Sequence, residues 1–354
     1  MFLYDWRVGK IKIKFLRLSL SKKFVQTDIF SISSQKQFDK VALQTFRYQY
    51  EHNVVYRQFC DLIKTNVTAV KAVEQIPFLP IQFFKTHQIV SINSEPQMVF
   101  KSSGTTGAQT SQHFVTDVSM YENSYSKGFS QFYGNIEDYT ILALLPSYQE
   151  QGNSSLIYMV ADLIAKTNNP HSGFYLYNHQ DLLLKIKELQ SDNKQILLIG
   201  VTFALLDFIE IATQTDAEIF LSDQLFVMET GGMKGRRKEM IREELHQILC
   251  KGFNVSGIHS EYGMTELLSQ AYSFGNGIFE CPAWMQVHIR DTEDARAQLH
   301  NGRSGGINVI DLANINSCSF IATQDLGKKF DNGCFEVLGR FDNSDIRGCN
   351  LMVG

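Results

Sequence analysis

The 354-residue chain has no run of about 18 consecutive apolar residues, so no membrane-spanning helix is expected. It also has no Cys-x-x-Cys pair. Its six cysteines, at positions 60, 250, 281, 318, 334 and 349, are scattered, and none stands in a Cys/His cluster with zinc spacing. That pattern argues against a disulfide framework and a structural metal site, and for the reduced thiols of a cytoplasmic protein. An excess of one charge is missing as well: 33 Lys and Arg stand against 37 Asp and Glu, a net charge of −4, which gives no general reason to bind nucleic acid. No internal repeat or low-complexity tract appears. What the chain does have is a 44% share of hydrophobic residues, enough for a sizeable core.

The first two dozen residues stand apart. Arg7, Lys10, Lys12, Lys14, Arg17, Lys22 and Lys23 face a single acid, Asp5. Lysines alternate with Ile11, Ile13 and Phe15, so the segment lacks the continuous apolar core of a signal peptide. Residues 1–30 therefore read as a basic N-terminal extension, expected to be disordered or to reflect a start codon placed too far upstream, with a membrane-touching basic segment as the alternative.

From Ser33 the spacing turns helical, with Phe38, Val41, Ala42, Thr45 and Phe46 on one face, then Val55, Phe59, Leu62 and Ile63. Ile76 to Phe84 carries Pro77 and Pro80 and is expected to be an extended, buried connector. Tyr139 to Leu145 and Ile196 to Thr202 are short continuous apolar runs, as parallel strands covered on both faces require. Helical patterns lie between and after them, at Leu156 to Ile164, Leu182 to Leu189, Phe203 to Ala212 and Met240 to Leu249. The last of these is expected to bury Ile241, Leu245, Ile248 and Leu249 and to end at Gly252. This alternation predicts an α/β fold with a largely parallel sheet over residues 31–282. Beyond it, four short β-like runs punctuated by Gly and Asp predict a β-rich subdomain over 283–354.

Five segments carry chemistry. Ser102, Ser103, Gly104, Thr105, Thr106 and Gly107 form a loop of hydroxyls and glycines whose N–H and O–H groups can donate to phosphate oxygens. It is neither a Walker loop nor a dinucleotide fingerprint. Thr230, Gly231 and Gly232 follow the apolar Leu225 to Met228. Tyr262, Gly263, Met264, Thr265 and Glu266 follow an expected strand at Val255 to His259, where the ligand crevice of an α/β sheet lies. Thr323-Gln324-Asp325 and Gly339-Arg340 each close a late β segment. Taken singly, each is as well explained by a turn, a cap or a surface pair.

In this order and spacing the set resembles the adenylate-forming superfamily of acyl-CoA synthetases. The resemblance implies that the Ser/Thr/Gly loop cradles ATP phosphates, that the Gly231-Gly232 turn lines the adenine pocket, and that Tyr262 stacks there. It further implies that Thr265 touches the α-phosphate, Glu266 holds Mg²⁺, Asp325 binds the ribose hydroxyls and Arg340 contacts ribose or phosphate at a hinge. The segments IPFLPIQFFK from Ile76, KSSGTTGAQTSQH from Lys101, LPSY from Leu145 and TGGMKGRR from Thr230 narrow the likeness to the acyl-protein synthetases of bacterial luciferase systems, relatives of the phenylacetate–CoA ligases.

Two departures from the wider superfamily stand out. Thr110 occupies the place where many members end the phosphate loop with lysine, as in the phenylacetate–CoA subgroup. Only fourteen residues follow Arg340, so the usual lid domain is expected to be absent. In the acyl-protein synthetases an acylated cysteine lies near the C-terminus, and Cys349, between Arg347-Gly348 and Asn350, is the matching position. The expected activity is therefore activation of a fatty or other carboxylic acid as acyl-AMP, followed by acyl transfer to Cys349. An acyl reductase or acyl-carrier protein would be the downstream partner. The alternatives are a CoA or carrier ligase of the phenylacetate type, and a nucleotide-binding subunit without catalysis.

Overall fold

The computed structural model describes residues 29–91, 94–102, 109–147, 152–189, 194–214, 224–231 and 240–341. The basic extension, positions 103–107 of the phosphate loop, Gly232, Arg236, Arg237, Lys238 and Cys349 lie outside the described residues.

Helices α1 (Gln35–His52) and α2 (Val54–Leu62) open the fold. The Ser34 hydroxyl caps α1, and the expected face from Phe38 to Phe46 is buried. In α2 the buried stripe is Tyr56 and Cys60, whereas Leu62 faces solvent, because the Tyr56 hydroxyl is drawn inward to donate to the carbonyl of Pro77. The connector is extended only through strand β1 (Leu79–Pro80). A helical turn, α3 (Phe83–Thr86), replaces the rest, since no proline lies beyond Pro80 to forbid it.

Strands β2 (Met98–Lys101) and β3 (Gln112–Val115) form a hairpin, followed by α4 (Val118–Tyr133). The central sheet then builds up from β4 (Tyr139–Leu144), α5 (Ser155–Lys166), β5 (Gly173–Phe174), α6 (His179–Leu189), β6 (Gln195–Val201), α7 (Thr202–Gln214), β7 (Leu225–Thr230), α8 (Arg242–Phe253), β8 (His259–Tyr262) and β9 (Ala271–Ser273). Its order is β5-β4-β6-β7-β8-β9, parallel except at β9. The continuous apolar runs at β4 and β6 are buried on both faces, as the sequence predicts.

Two boundaries move. The strand expected at Val255 to His259 begins only at His259 and carries Tyr262 as its last residue. Helix α8 runs through Gly252 and ends at Asn254, which takes the left-handed conformation at φ 53°. Gly252 is an interior packing residue, because a Cβ there would stand 2.5 Å from the Ile209 side chain. The buried stripe of α8 is consequently Leu245, Leu249 and Phe253, with Ile241 and Ile248 exposed.

The second sheet contains β10 (Ile278–Phe279), β11 (Met285–Arg290), β12 (Ser304–Asp311), β13 (Phe320–Lys329) and β14 (Phe335–Arg340), in the order β10-β14-β13-β12-β11. It is antiparallel, and β1 adds a parallel pairing of Leu79 with Ile321 beside β13. The chain therefore has the α/β architecture expected of adenylate-forming enzymes, and one apolar core runs through both sheets. Among the described residues no helix is long and apolar enough to cross a membrane.

Candidate active site

The C-terminal ends of the parallel strands point to one rim, where the segment leaving β8 meets the hairpin β2–β3 through His113 and the second sheet through Asn314. The base of the phosphate loop is the closed end of that hairpin. Ser102 donates its N–H to the Ser111 carbonyl (3.1 Å), and its hydroxyl accepts the Ser111 N–H (2.9 Å). The Lys101 N–H bonds the carbonyl of Asn153, which ties the hairpin to the start of α5. The Ser102 hydroxyl is therefore a staple of the loop base.

Gly231 takes φ 65°, which favours glycine, and its carbonyl accepts the Thr202 hydroxyl at 2.9 Å. The Tyr262–Glu266 turn is gripped from both sides. The ring of His113, in β3, bonds the Thr265 carbonyl through Nδ1 at 2.8 Å, and the Asn314 amide donates to the Glu266 carbonyl at 2.7 Å. Burial pushes the His113 ring down to about 4, so it is neutral at pH 7. A carbonyl only accepts, so Nδ1 carries the proton. Gly263 leaves room for its neighbour, since a Cβ would lie 2.3 Å from Glu261 Oε1. The Glu261 carboxyl accepts the Thr230 hydroxyl (2.5 Å). Burial raises it to about 7 against the lowering effect of that bond, and the charge of Glu229 raises it further.

Glu266 is buried, which raises its carboxyl above the ordinary range. A side-chain hydrogen bond from Ser111 and the charges of Arg340 and Lys85 oppose that rise. Among the described residues no group of three or more His, Cys, Asp or Glu could hold a metal ion. One carboxylate at the rim fits Mg²⁺, which is commonly held by one or two carboxylates and the oxygens of its nucleotide.

Tyr262, Asp325 and Arg340 come together. Asp325 Oδ2 accepts the Tyr262 hydroxyl (2.8 Å) and Oδ1 accepts Arg340 Nε (3.1 Å), with Arg340 directly opposite Asp325 in the β13–β14 ladder. A carboxylate offers about four lone-pair directions, so these two bonds leave half of its accepting capacity. Arg340 is 78% exposed at its side chain whereas Asp325 is buried, so the pair marks the edge of the crevice. The Tyr262 ring packs edge-on against Phe279 and Phe335, with centroids 5.9 and 5.4 Å away, and is 9% exposed. Its core contacts hold the ring, and its hydroxyl reaches the site.

Several residues of this framework carry no motif. Asp311 accepts from the N–H groups of Leu268, Ser269 and Ala313 and from the Ser269 hydroxyl, anchoring the chain just after Glu266. Asn314 and His113 brace the turn, and Arg290 underlies the Thr323–Asp325 segment. Arg290 and Asp311 each stand at the last position of a strand that already carries other polar residues, so no sequence signal singles them out. His259 sits in an aromatic cluster, bonded to the Tyr133 hydroxyl at 3.1 Å.

Residues 23–354 match the sequence model of a family described as acyl-protein synthetase, LuxE. The long-chain-fatty-acid–luciferin-component ligase of Vibrio harveyi is 22% identical over 345 residues, covering 92% of this chain and 89% of that protein. The ligase of the same description from Aliivibrio fischeri is 22% identical over 349 residues, covering 92% and 90%. Among solved structures, an open conformation of 2-hydroxyisobutyryl-CoA ligase in complex with 2-HIB-AMP and CoA superposes with a TM-score of 0.63 at 13% identity. It covers 89% of this chain and 75% of the other, a likeness of fold.

Proposed function

The chain belongs to the acyl-protein synthetase family, and on that premise we propose that it activates a fatty acid with ATP as acyl-AMP and passes the acyl group to a protein thiol, Cys349. The observation that carries the reading is the meeting, at one rim, of the phosphate-loop base, the Thr265–Glu266 turn and a buried aspartate with spare acceptors.

In the first step a carboxylate oxygen of the acid bonds to the α-phosphorus, and the bond from that phosphorus to the pyrophosphate oxygen breaks. Charge builds on phosphate oxygens, so fixed donors and a cation are needed more than a general base. The residues that supply them are the hydroxyls and N–H groups of Ser103 to Gly107, Thr265 and Arg340, while Asp325 holds the ribose and Gly231-Gly232 the adenine side. Mg²⁺ bound by Glu266 and the nucleotide would supply further charge neutralisation. In the second step a thiolate attacks the acyl carbon and AMP departs with the bonding electrons.

The choice of thiol has support from the other five. Burial raises all of them: Cys60 and Cys281 to about 12, Cys318 further, and Cys250 and Cys334 in the same direction. A thiol held protonated is a poor nucleophile, which leaves the sixth, Cys349, beside Arg347. The acyl group then passes to a reductase or a carrier.

The test is incubation with labelled fatty acids of graded length and ATP, without CoA. Labelled protein, sensitive to hydroxylamine and absent in Cys349→Ser, is the expected result. ATP–pyrophosphate exchange without labelled protein would point instead to an external thiol such as CoA. No exchange with any acid would sink the adenylation reading.

A further inference from the structure

We propose that Arg290 is the positioning residue of the ribose-binding carboxylate: its guanidinium holds a bulge in β13 that turns Asp325 into the crevice. The inference rests on the reading of Asp325 given above.

The ladder between β12 and β13 loses its register at this place. Gly306 pairs with Leu326, and Asn308 pairs with Ala322. Between those pairs β12 has Ile307 alone, whereas β13 has Thr323, Gln324 and Asp325. Three residues opposite one cannot stay in a regular ladder, so the β13 backbone bows outward and its carbonyls need partners from elsewhere. A bulge of this kind re-aims side chains, and here the re-aimed side chain is Asp325.

One guanidinium closes the opening. Arg290 Nη1 donates to the Ile307 carbonyl (2.7 Å) and to Asn308 Oδ1 (2.8 Å), and Nη2 donates to the Thr323 carbonyl (2.5 Å). The Thr323 hydroxyl also donates to the Ile307 carbonyl and accepts the Asp325 N–H at 3.1 Å. The Phe341 N–H satisfies the Gln324 carbonyl, and the Phe341 ring lies 5.4 Å from Arg290 Cζ. Arg290 pairs with Gly306 across β11 and β12, and its side chain lies over that residue. A Cβ on Gly306 would stand 2.5 Å from Cζ.

Packing does not account for an arginine here. Arg290 is 9% exposed and, among the described residues, forms no salt bridge. A methionine would fill similar space without burying a charge. A lysine could not serve acceptors on two strands in one plane. The planar fork matches the acceptors on both sides of the bulge.

The test is equilibrium binding of ATP and of 2′,3′-dideoxy-ATP by calorimetry, with thermal unfolding as a folding control. Wild type is expected to bind ATP about tenfold or more tightly than the dideoxy nucleotide, from hydrogen bonds to a charged carboxylate. Asp325→Asn is expected to abolish that preference. Arg290→Met is expected to bring it within about threefold while changing dideoxy-ATP binding less than about threefold, and Arg290→Lys to fall between. Gly306→Ala displaces the guanidinium without removing it, and is expected to lose the preference too, so it carries the test if Arg290→Met fails to fold. If Asp325→Asn keeps the preference, the ribose reading falls and takes this inference with it. If Asp325→Asn loses it and folded Arg290 variants keep it, the inference alone is overturned. Equal weakening of both nucleotides by the Arg290 variants also overturns it, since the arginine would then support the whole site.

Discussion

The antiparallel sheet holds two buried aspartates, Asp311 at the end of β12 and Asp325 within β13, and the two differ in how their oxygens are occupied. Asp311 receives four donors: Leu268 N–H at 2.7 Å, Ser269 N–H at 3.0 Å, the Ser269 hydroxyl at 2.6 Å and Ala313 N–H at 3.1 Å. The Ser269 hydroxyl is itself joined to Ser124 and to the Trp284 indole. Within β13, Asp325 receives, among the described residues, only Tyr262 and Arg340, and the Arg340 side chain is exposed. A saturated carboxylate is architecture. A half-saturated one, held rigidly at a crevice edge, is a binding group. Residue type is the same and both are buried, at 0% and 7% exposure, so the donor count is the larger difference.

That contrast breaks most readily at Asp311. Asp311→Ala leaves three backbone N–H groups and a hydroxyl buried without their acceptor, and is expected to lower unfolding free energy by about 3–5 kcal/mol. Urea unfolding checks this, and a loss below about 1 kcal/mol would show that water takes the place of the carboxylate. Asp325→Ala frees only the Tyr262 hydroxyl, because Arg340 is exposed, so about 1–2 kcal/mol is expected. Its ATP–pyrophosphate exchange, however, should fall about a hundredfold through the loss of two charged hydrogen bonds to ribose.

Glu261 sharpens the same rule. With one side-chain donor, Thr230, its carboxyl is raised by burial to about 7. Because the folded value lies above the unfolded one, this group's contribution to stability is complete below about 4.5 and is lost as pH rises through about 7. Glu261→Gln is expected to flatten that decline and to exceed wild type by on the order of 1 kcal/mol at pH 8, read from urea midpoints at several pH values. The smallest change in stability belongs to Arg340→Met. An exposed ion pair contributes little, so a shift within about 0.5 kcal/mol is expected, alongside a clear fall in exchange rate. A stability loss comparable to that of Asp311→Ala would erase the distinction between the two aspartates.

The fold was largely legible wherever one element explains itself. The apolar runs of β4 and β6 could only be covered strands, and the Gly/Asp-punctuated runs after Ala283 could only be short β segments. Legibility failed where packing overrode local pattern. Gly252 looks like a helix end, but Ile209 fills the space beside it. Val255 to Ile258 looks like a strand, but pairing begins only at His259. At the candidate site, Thr265, Glu266, Asp325 and Arg340 were singled out from the order and spacing of their segments through the family resemblance, since each segment taken alone reads equally as a turn or a cap. It was illegible at His113, Asn314, Asp311 and Arg290, because each of these acts on residues distant in the chain. His113 and Thr265, for example, are 152 positions apart.

By itself the sequence determined the kinds of element, since these follow from hydrophobic period, and supplied the hydroxyl, carboxylate and guanidinium groups found at the rim. Only the tertiary structure decided which of two buried aspartates has acceptors to spare. It also revealed the bulge that aims Asp325 and the neutral imidazole that braces the Thr265 turn. The physical reason is that hydrogen-bond satisfaction is a property of the surroundings a side chain meets, and those surroundings come from strands far apart in the chain.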